Sequence, residues 1–261
     1  MKEDLKFSIL QLDLIWENAS SNLQKIESLV AGKLDNTDVL ILPEMFSTGF
    51  TMNPSAVAES MSGKSVEWMK MKASKWNIVL AGSLVIKEKN QNFNRFLWVT
   101  PNGDIQYYDK KHLFRMGEEN EHYRAGKQKL ITSLKTWRIR PLICYDLRFP
   151  VWSRNISDYD VLLYVANWPA SRRHVWKSLL LARALENQSY VVGVNRIGED
   201  GNGISYSGDS MIIDPRGNIL SNTQPNTESF ETVSLSLKEL IDFREKFPVS
   251  MDADEFMLTD S

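Results

Sequence analysis

Leu142-Ile143-Cys144-Tyr145-Asp146-Leu147-Arg148-Phe149-Pro150 joins an apolar strand to a polar turn, and the only cysteine of the chain stands at the junction. A thiol in mid-strand behaves as a small hydrophobe, whereas one at the C-terminal end of a strand in an α/β protein lies where such folds place their active sites. Two other stretches have the same form. The apolar run Val39-Leu40-Ile41-Leu42-Pro43 ends on Glu44, and Tyr107-Tyr108-Asp109 ends on Lys110-Lys111-His112. A sulfur, an acid and an amine thus each follow a strand.

Working outward, Phe7 to Leu14 reads as a buried strand, and Asn18 to Asn22 offers caps to a helix with Leu23, Ile26, Leu29 and Val30 on one side. The alternation continues with strand Val39 to Leu42, helix Ser65 to Lys75 and strand Ile78 to Val85, which argues for an α/β fold. Phe96 to Thr100 and Ile105 to Tyr108 flank Pro101-Asn102-Gly103-Asp104, whose Asn-Gly pair suits a tight hairpin, so the sheets are mixed. Strands Leu130 to Leu134, Trp137 to Cys144 and Val161 to Val165 follow, with a short helix expected over 151–156. His174 to Asn187 is the strongest helical pattern, and its apolar residues cover more than one face, as in a helix that is deeply buried or shared with another subunit. Strand Tyr190 to Ile197, a glycine-rich loop Gly198 to Gly203, a hairpin over Met211 to Leu220 and strand Thr232 to Leu235 complete the pattern. One domain is expected over 1–261, with 248–261 as an acidic, poorly patterned tail.

The bulk numbers narrow the function. The chain has 261 residues, 43% of them hydrophobic, enough for a sizeable core, and its 31 basic and 33 acidic residues leave a net charge of −2. Neither a nucleic-acid-binding surface nor an acidic arm is indicated. One cysteine excludes an internal disulfide, and with three histidines it offers no metal-ligand spacing, so no metal and no cofactor are expected. No run approaches the roughly 18 apolar residues of a membrane span, and the start Met1-Lys2-Glu3-Asp4 lacks the pattern of a signal peptide. A cytoplasmic location is expected.

A cysteine attacks as its thiolate, and a carboxylate that accepts the proton beside an ammonium generates one without histidine. A fixed lysine and a backbone N–H then hold the oxyanion of an acyl-transfer intermediate. Leu42-Pro43-Glu44, Tyr108-Asp109-Lys110-Lys111-His112 and Ile143-Cys144-Tyr145-Asp146-Leu147-Arg148-Phe149 resemble, in order and spacing, the three signatures of the nitrilase superfamily of carbon–nitrogen hydrolases. The resemblance extends to Ala182-Arg183-Ala184-Leu185-Glu186-Asn187 and Gly208-Asp209-Ser210, and so covers nearly the whole chain.

That resemblance implies a four-layer α-β-β-α sandwich with two mixed sheets. It implies Glu44 as general base, a lysine at the oxyanion, and Cys144 as the nucleophile that forms a thioester with release of ammonia. It also implies a homodimer through helices 151–156 and 174–187. The family's lysine motif has arginine where this chain has Asp109; two lysines follow it on opposite faces of a strand, and spacing to His112 favours Lys110 over Lys111. A second family glutamate, seven residues before Gly126, falls on Glu119, with Glu118 and Glu121 as neighbours.

Around the cysteine and at Val165-Ala166-Asn167-Trp168-Pro169 the chain is similar to bacterial omega-amidases, which hydrolyse the terminal amide of 2-oxo dicarboxylic monoamides such as α-ketoglutaramate and α-ketosuccinamate. A carbamoylase or a general aliphatic amidase is the alternative within the superfamily, and a redox-sensing thiol protein the alternative outside it. A small amide bearing a carboxylate calls for a cation in the pocket, for which Arg148, Arg172 and Arg173 are candidates. Tyr145 follows the nucleophile and offers its N–H to the oxyanion, and Trp168 is a candidate pocket wall. His112 and His174 read as structural.

Overall fold

The computed structural model describes residues 4–258. Its strands are β1 (Leu5–Gln11), β2 (Val39–Ile41), β3 (Val79–Glu88), β4 (Gln91–Val99), β5 (Ile105–Asp109), β6 (Thr132–Leu134), β7 (Trp137–Ile143), β8 (Val161–Ala166), β9 (Tyr190–Asn195), β10 (Ile197–Glu199), β11 (Ser205–Ser207), β12 (Met211–Ile213) and β13 (Ser229–Leu235). The helices are α1 (Ala19–Val30), α2 (Pro54–Val57), α3 (Lys64–Trp76), α4 (Glu119–His122), α5 (Pro150–Ser153), α6 (Arg173–Asn187) and α7 (Leu237–Lys246). Among the described residues one sheet runs β13-β1-β2-β3-β4-β5, a second runs β12-β9-β8-β7-β6, and β10 and β11 form a separate ribbon. Both large sheets mix parallel pairs, such as β1 with β2 and β7 with β8, with antiparallel ones, such as β3 with β4 and β6 with β7.

Side-chain alternation sorts the strands into layers. In β1 and β2, Leu5, Phe7, Ile9, Val39 and Ile41 join one apolar cluster with Ile139, Leu142 and Leu163 of the second sheet. The intervening Leu10 and Leu40 instead join Leu23, Ile26, Val66 and Met69 of α1 and α3. On the far side, Trp176, Leu180 and Ala184 of α6 cover the second sheet. The order is helix, sheet, sheet, helix, the sandwich expected from the sequence.

Several elements differ from the sequence reading. Helix α5 ends at Ser153 instead of continuing to 156, because Arg154 turns to φ −57° and ψ 130° and the next residue, Asn155, is tied by its backbone N–H to the Asn187 side chain. Strand β4 begins at Gln91, five residues before the expected start, after a turn in which Lys89 and Asn90 both take positive φ. The glycine-rich loop is the turn of the β10–β11 ribbon. Helix α7 went unread, although Ser236 caps it by accepting the Glu239 N–H, an S-x-x-E start. Of the expected tail, residues 259–261 lie outside the described residues.

Candidate active site

The inner face of the first sheet is apolar along most of its length and polar at one end. Ala81, Phe96 and Tyr108 face the second sheet. Two residues further along the same face in each strand's own direction, or two back in the antiparallel β4, stand Ser83, Asn94 and Lys110. Glu44 follows β2 through Leu42, whose N–H bonds the Ala81 carbonyl at 2.8 Å. Cys144 and Asn167 leave the parallel strands β7 and β8 at their C-terminal ends and complete the group. Active sites collect at such ends because neighbouring strands there diverge into separate loops.

Glu44, Asn94, Lys110 and Glu119 are all at most 1% exposed. The Lys110 ammonium lies 2.8 Å from Glu44 Oε1 and 2.9 Å from Glu119 Oε2. Asn94 Nδ2 donates to Glu44 Oε1 at 2.7 Å and to Glu119 Oε1 at 3.2 Å. The other Glu44 oxygen accepts the Asn167 N–H at 2.7 Å, and Glu119 Oε2 accepts that of Phe114 at 2.7 Å. Among the three loop glutamates, Glu119 is the one inside; Glu118 and Glu121 are exposed. The loop returns to β5 at Gly126, where a Cβ would lie 2.1 Å from the Asp109 carbonyl oxygen, so only glycine permits this approach.

Asp109 is explained by its neighbour across the strands, since Arg95 of β4 grips both its oxygens at 2.7 and 2.9 Å. Lys111 turns to the other side of its strand end and lies over the Trp152 ring, 5.4 Å from its centre.

Cys144 has φ 43°, a left-handed conformation that is costly for a non-glycine residue and lifts it out of the line of β7. Asp146 braces this turn. Its carboxylate accepts the N–H groups of Ile143 (3.0 Å) and His112 (3.0 Å), the Tyr108 hydroxyl (2.8 Å), and bonds the His112 ring at 2.7 Å. His112 therefore ties the lysine loop to the nucleophile turn. His174 is exposed in the first turn of α6.

Burial pushes the Cys144 thiol well above the usual thiol range, the Glu44 carboxylate adds to this, and Lys110 draws it partly back. The sulfur therefore keeps its proton at rest and needs a base during attack. Burial works against the Lys110 charge, but Glu119 and Glu44 outweigh it and hold the ammonium above the ordinary lysine range. Burial raises the Glu119 carboxyl and Lys110 opposes the rise, while Glu44 adds to it.

Glu44, Lys110 and Cys144 open onto one cavity of about 140 Å³, room for a small organic molecule. Tyr145, Arg148, Trp168 and Arg172 line it as well. Arg148 lies over the Trp168 ring at 5.2 Å and Arg172 over the Phe114 ring at 5.3 Å. Neither makes an ion pair among the described residues. Trp168 is fixed through its Nε1–H to the Arg172 carbonyl (2.9 Å) and by packing on Trp176. Arg173 does not join them: its guanidinium grips Asp209 at 2.6 and 3.0 Å, because successive residues entering α6 point about 100° apart. The sequence reading missed Asn94, Phe50 and the wall that the β10–β11 ribbon supplies with Asp200 and Tyr206.

The model of the carbon-nitrogen hydrolase family matches residues 6–245. The chain belongs to this family. It is 48% identical to the omega-amidase YafV of Escherichia coli strain K12, over 97% of this chain and 98% of that one. It is 33% identical to the 2-oxoglutaramate amidase of Bacillus subtilis strain 168, over 94% and 96% of the two chains. Among solved structures, a CN-hydrolase superfamily protein from Xanthomonas campestris, with an arsenic adduct in its active site, superposes with a TM-score of 0.95 at 40% identity, covering 98% of this chain and all of that one. This carbon-nitrogen hydrolase is thus an amide-hydrolysing enzyme. The alternative of a non-catalytic redox sensor falls, and the raised thiol agrees, since sensor cysteines are low-pKa thiolates.

Proposed function

We propose that the enzyme is an omega-amidase that hydrolyses the terminal amide of 2-oxoglutaramate and its shorter homologue 2-oxosuccinamate. The observation that carries the reading is a thiol, a carboxylate and an ammonium on one small cavity whose mouth holds two arginines that have no carboxylate partner among the described residues. The omega-amidase and 2-oxoglutaramate amidase relatives support it.

The Cys144 sulfur attacks the amide carbon as Glu44 takes the thiol proton. The carbonyl oxygen becomes an oxyanion, held by the Lys110 ammonium and the Tyr145 N–H. As the C–N bond breaks, Glu44 returns its proton to the departing nitrogen, which leaves as ammonia. Glu44 then deprotonates a water that attacks the thioester, releasing the carboxylic acid and restoring the thiol. Glu119 supports Lys110 from behind. Arg148 and Arg172 take the carboxylate at the far end of the substrate, against the Trp168 wall.

The same reading takes a second copy of the chain as partner. Val151 of α5, Ile156 beyond it, and Leu181 and Leu185 of α6 are 37–64% exposed and form the apolar surface of a homodimer. No described helix is long and apolar enough to cross a membrane. A cytoplasmic location fits the lone free cysteine.

Ammonia release from 2-oxoglutaramate, N-carbamoyl compounds, neutral aliphatic amides and nitriles, with Cys144→Ala as control, tests the function. The expected result is preference for 2-oxoglutaramate, abolished in Cys144→Ala. Equal release by both proteins, or a higher kcat/KM on a neutral amide or carbamoyl compound, overturns it.

A further inference from the structure

The Glu44–Lys110–Glu119 group has a fourth member with two carboxylates on a single nitrogen. Asn94 is wholly buried, and its Nδ2 has two protons, one directed to Glu44 and one to Glu119. The other end of the amide is fixed, since Ser83 Oγ donates to Asn94 Oδ1 at 2.9 Å and itself accepts the Met45 N–H at 2.8 Å. That chain of bonds starts on the residue after Glu44 and returns to the Glu44 carboxylate. The backbone joins in, because the Asn94 carbonyl accepts the Lys110 N–H at 3.0 Å. One side chain thereby sets the positions of the acid, the amine and the second acid. Its amide cannot flip without presenting an oxygen to two carboxylates.

We propose that Asn94 is a positioning residue that decides which of the two carboxylates acts as base. It holds Glu119 and Glu44 to either side of one ammonium, so that Glu119 stays closed behind Lys110 while Glu44 faces the cavity and the sulfur. Both carboxylates have donors on both oxygens, but Glu44 lines the cavity and Glu119 does not. Without the amide, two buried carboxyl groups would share one ammonium with one donor fewer on each, and only the Asn167 and Phe114 N–H groups would still hold them apart. The charged or titratable groups around Glu44 are Lys110 at the end of β5, Glu119 in α4, Tyr123 beyond it and Cys144 after β7.

The inference rests on Glu44 being the base of the proposed amidase, and the test separates the two. The pH profile of kcat/KM for ammonia release is measured for the wild type, Asn94→Asp, Ser83→Ala and Leu97→Ala. Asn94→Asp loses both N–H donors and sets a third carboxyl beside Glu44 and Glu119, so the acidic limb is expected to move up by roughly 1–3 pH units with kcat reduced. Ser83→Ala keeps the amide but frees its far end, and a smaller shift in the same direction is expected. Leu97, on the opposite face of the same strand and packed toward the helices, gives the structural control: Leu97→Ala lowers Tm without moving the limb. An acidic limb unmoved in both Asn94→Asp and Ser83→Ala, with only Tm or active fraction reduced as in Leu97→Ala, overturns the role of Asn94. A wild type that releases no ammonia overturns the amidase reading instead.

Discussion

At the floor of the cavity each charged group has at least two partners, while at its mouth two guanidinium groups rest on aromatic rings. Lys110 has two carboxylates within 2.9 Å, and Glu44 receives donors on both oxygens. Arg148 and Arg172 meet the flat faces of Trp168 and Phe114. The floor is built where strands of both sheets end, and it is braced by Asn94 and Ser83 from within the paired strands β4 and β3. The mouth is built on turns. A group that stabilises a transition state has to be placed before the substrate arrives, because reorganisation then costs nothing at the moment of reaction. A group that recognises a substrate carboxylate keeps its donors free for that partner. On the proposed function, chemistry belongs to the floor and selection to the mouth, and substitutions in the two regions should fail in different ways.

The largest effect is expected at Lys110. Lys110→Ala removes the proposed oxyanion donor and leaves two buried carboxylates facing each other. A loss of roughly 10²–10³ in kcat is expected, with about 3–5 kcal/mol of stability lost on urea unfolding at neutral pH. Lys111, one residue on and over the Trp152 ring, should change either quantity little when replaced by alanine, within about 0.5 kcal/mol. If Lys111→Ala proves the more damaging, the ammonium at the floor is not the one that meets the oxyanion.

The division between the regions also marks what the sequence discloses. That Glu44 and Cys144 line one cavity was legible because each ends an apolar run on a group with chemistry. Strand periodicity alone could not choose between Lys110 and Lys111, because adjacent Tyr107 and Tyr108 carry no signal of which faces inward, and the choice of Lys110 rested on its spacing to His112; the fold buries Tyr108 and leaves Tyr107 about half exposed. Asn94 was invisible for a related reason. A polar residue beside Arg95 looks like the end of a strand, and only the second sheet packed above it shows that it belongs to the inner face. The layers themselves were readable, since Leu5, Phe7 and Ile9 alternate against Leu10 and Leu12 across two cores. At the mouth, direction decides everything. Arg172 and Arg173 are adjacent in sequence and alike in chemistry, yet one lines the cavity and the other is bound to Asp209.

A smaller and more selective effect is expected at the mouth. Arg148→Leu or Arg172→Leu should raise KM for 2-oxoglutaramate by roughly 10–150-fold, the equivalent of about 1.5–3 kcal/mol for one charged hydrogen bond. kcat on a neutral aliphatic amide of similar length should be nearly unchanged, because the floor is intact. Equal losses on the charged and the neutral amide would mean that the arginines shape the cavity without reading a carboxylate.

The smallest effect is expected at Arg173, and it tests the comparison most finely. Its guanidinium is substantially exposed and its partner Asp209 also accepts the Ser207 hydroxyl at 2.6 Å, so the carboxylate keeps a donor when the arginine is removed. Arg173→Ala should therefore cost at most about 1 kcal/mol of stability and leave the KM ratio between charged and neutral amides where it was. Measured beside Arg172→Leu, it separates a cation that faces the substrate from one that only braces the loop after β8. A KM increase confined to the charged amide in Arg173→Ala would show that the Asp209 pair opens to admit the substrate, and that the mouth is shaped on binding.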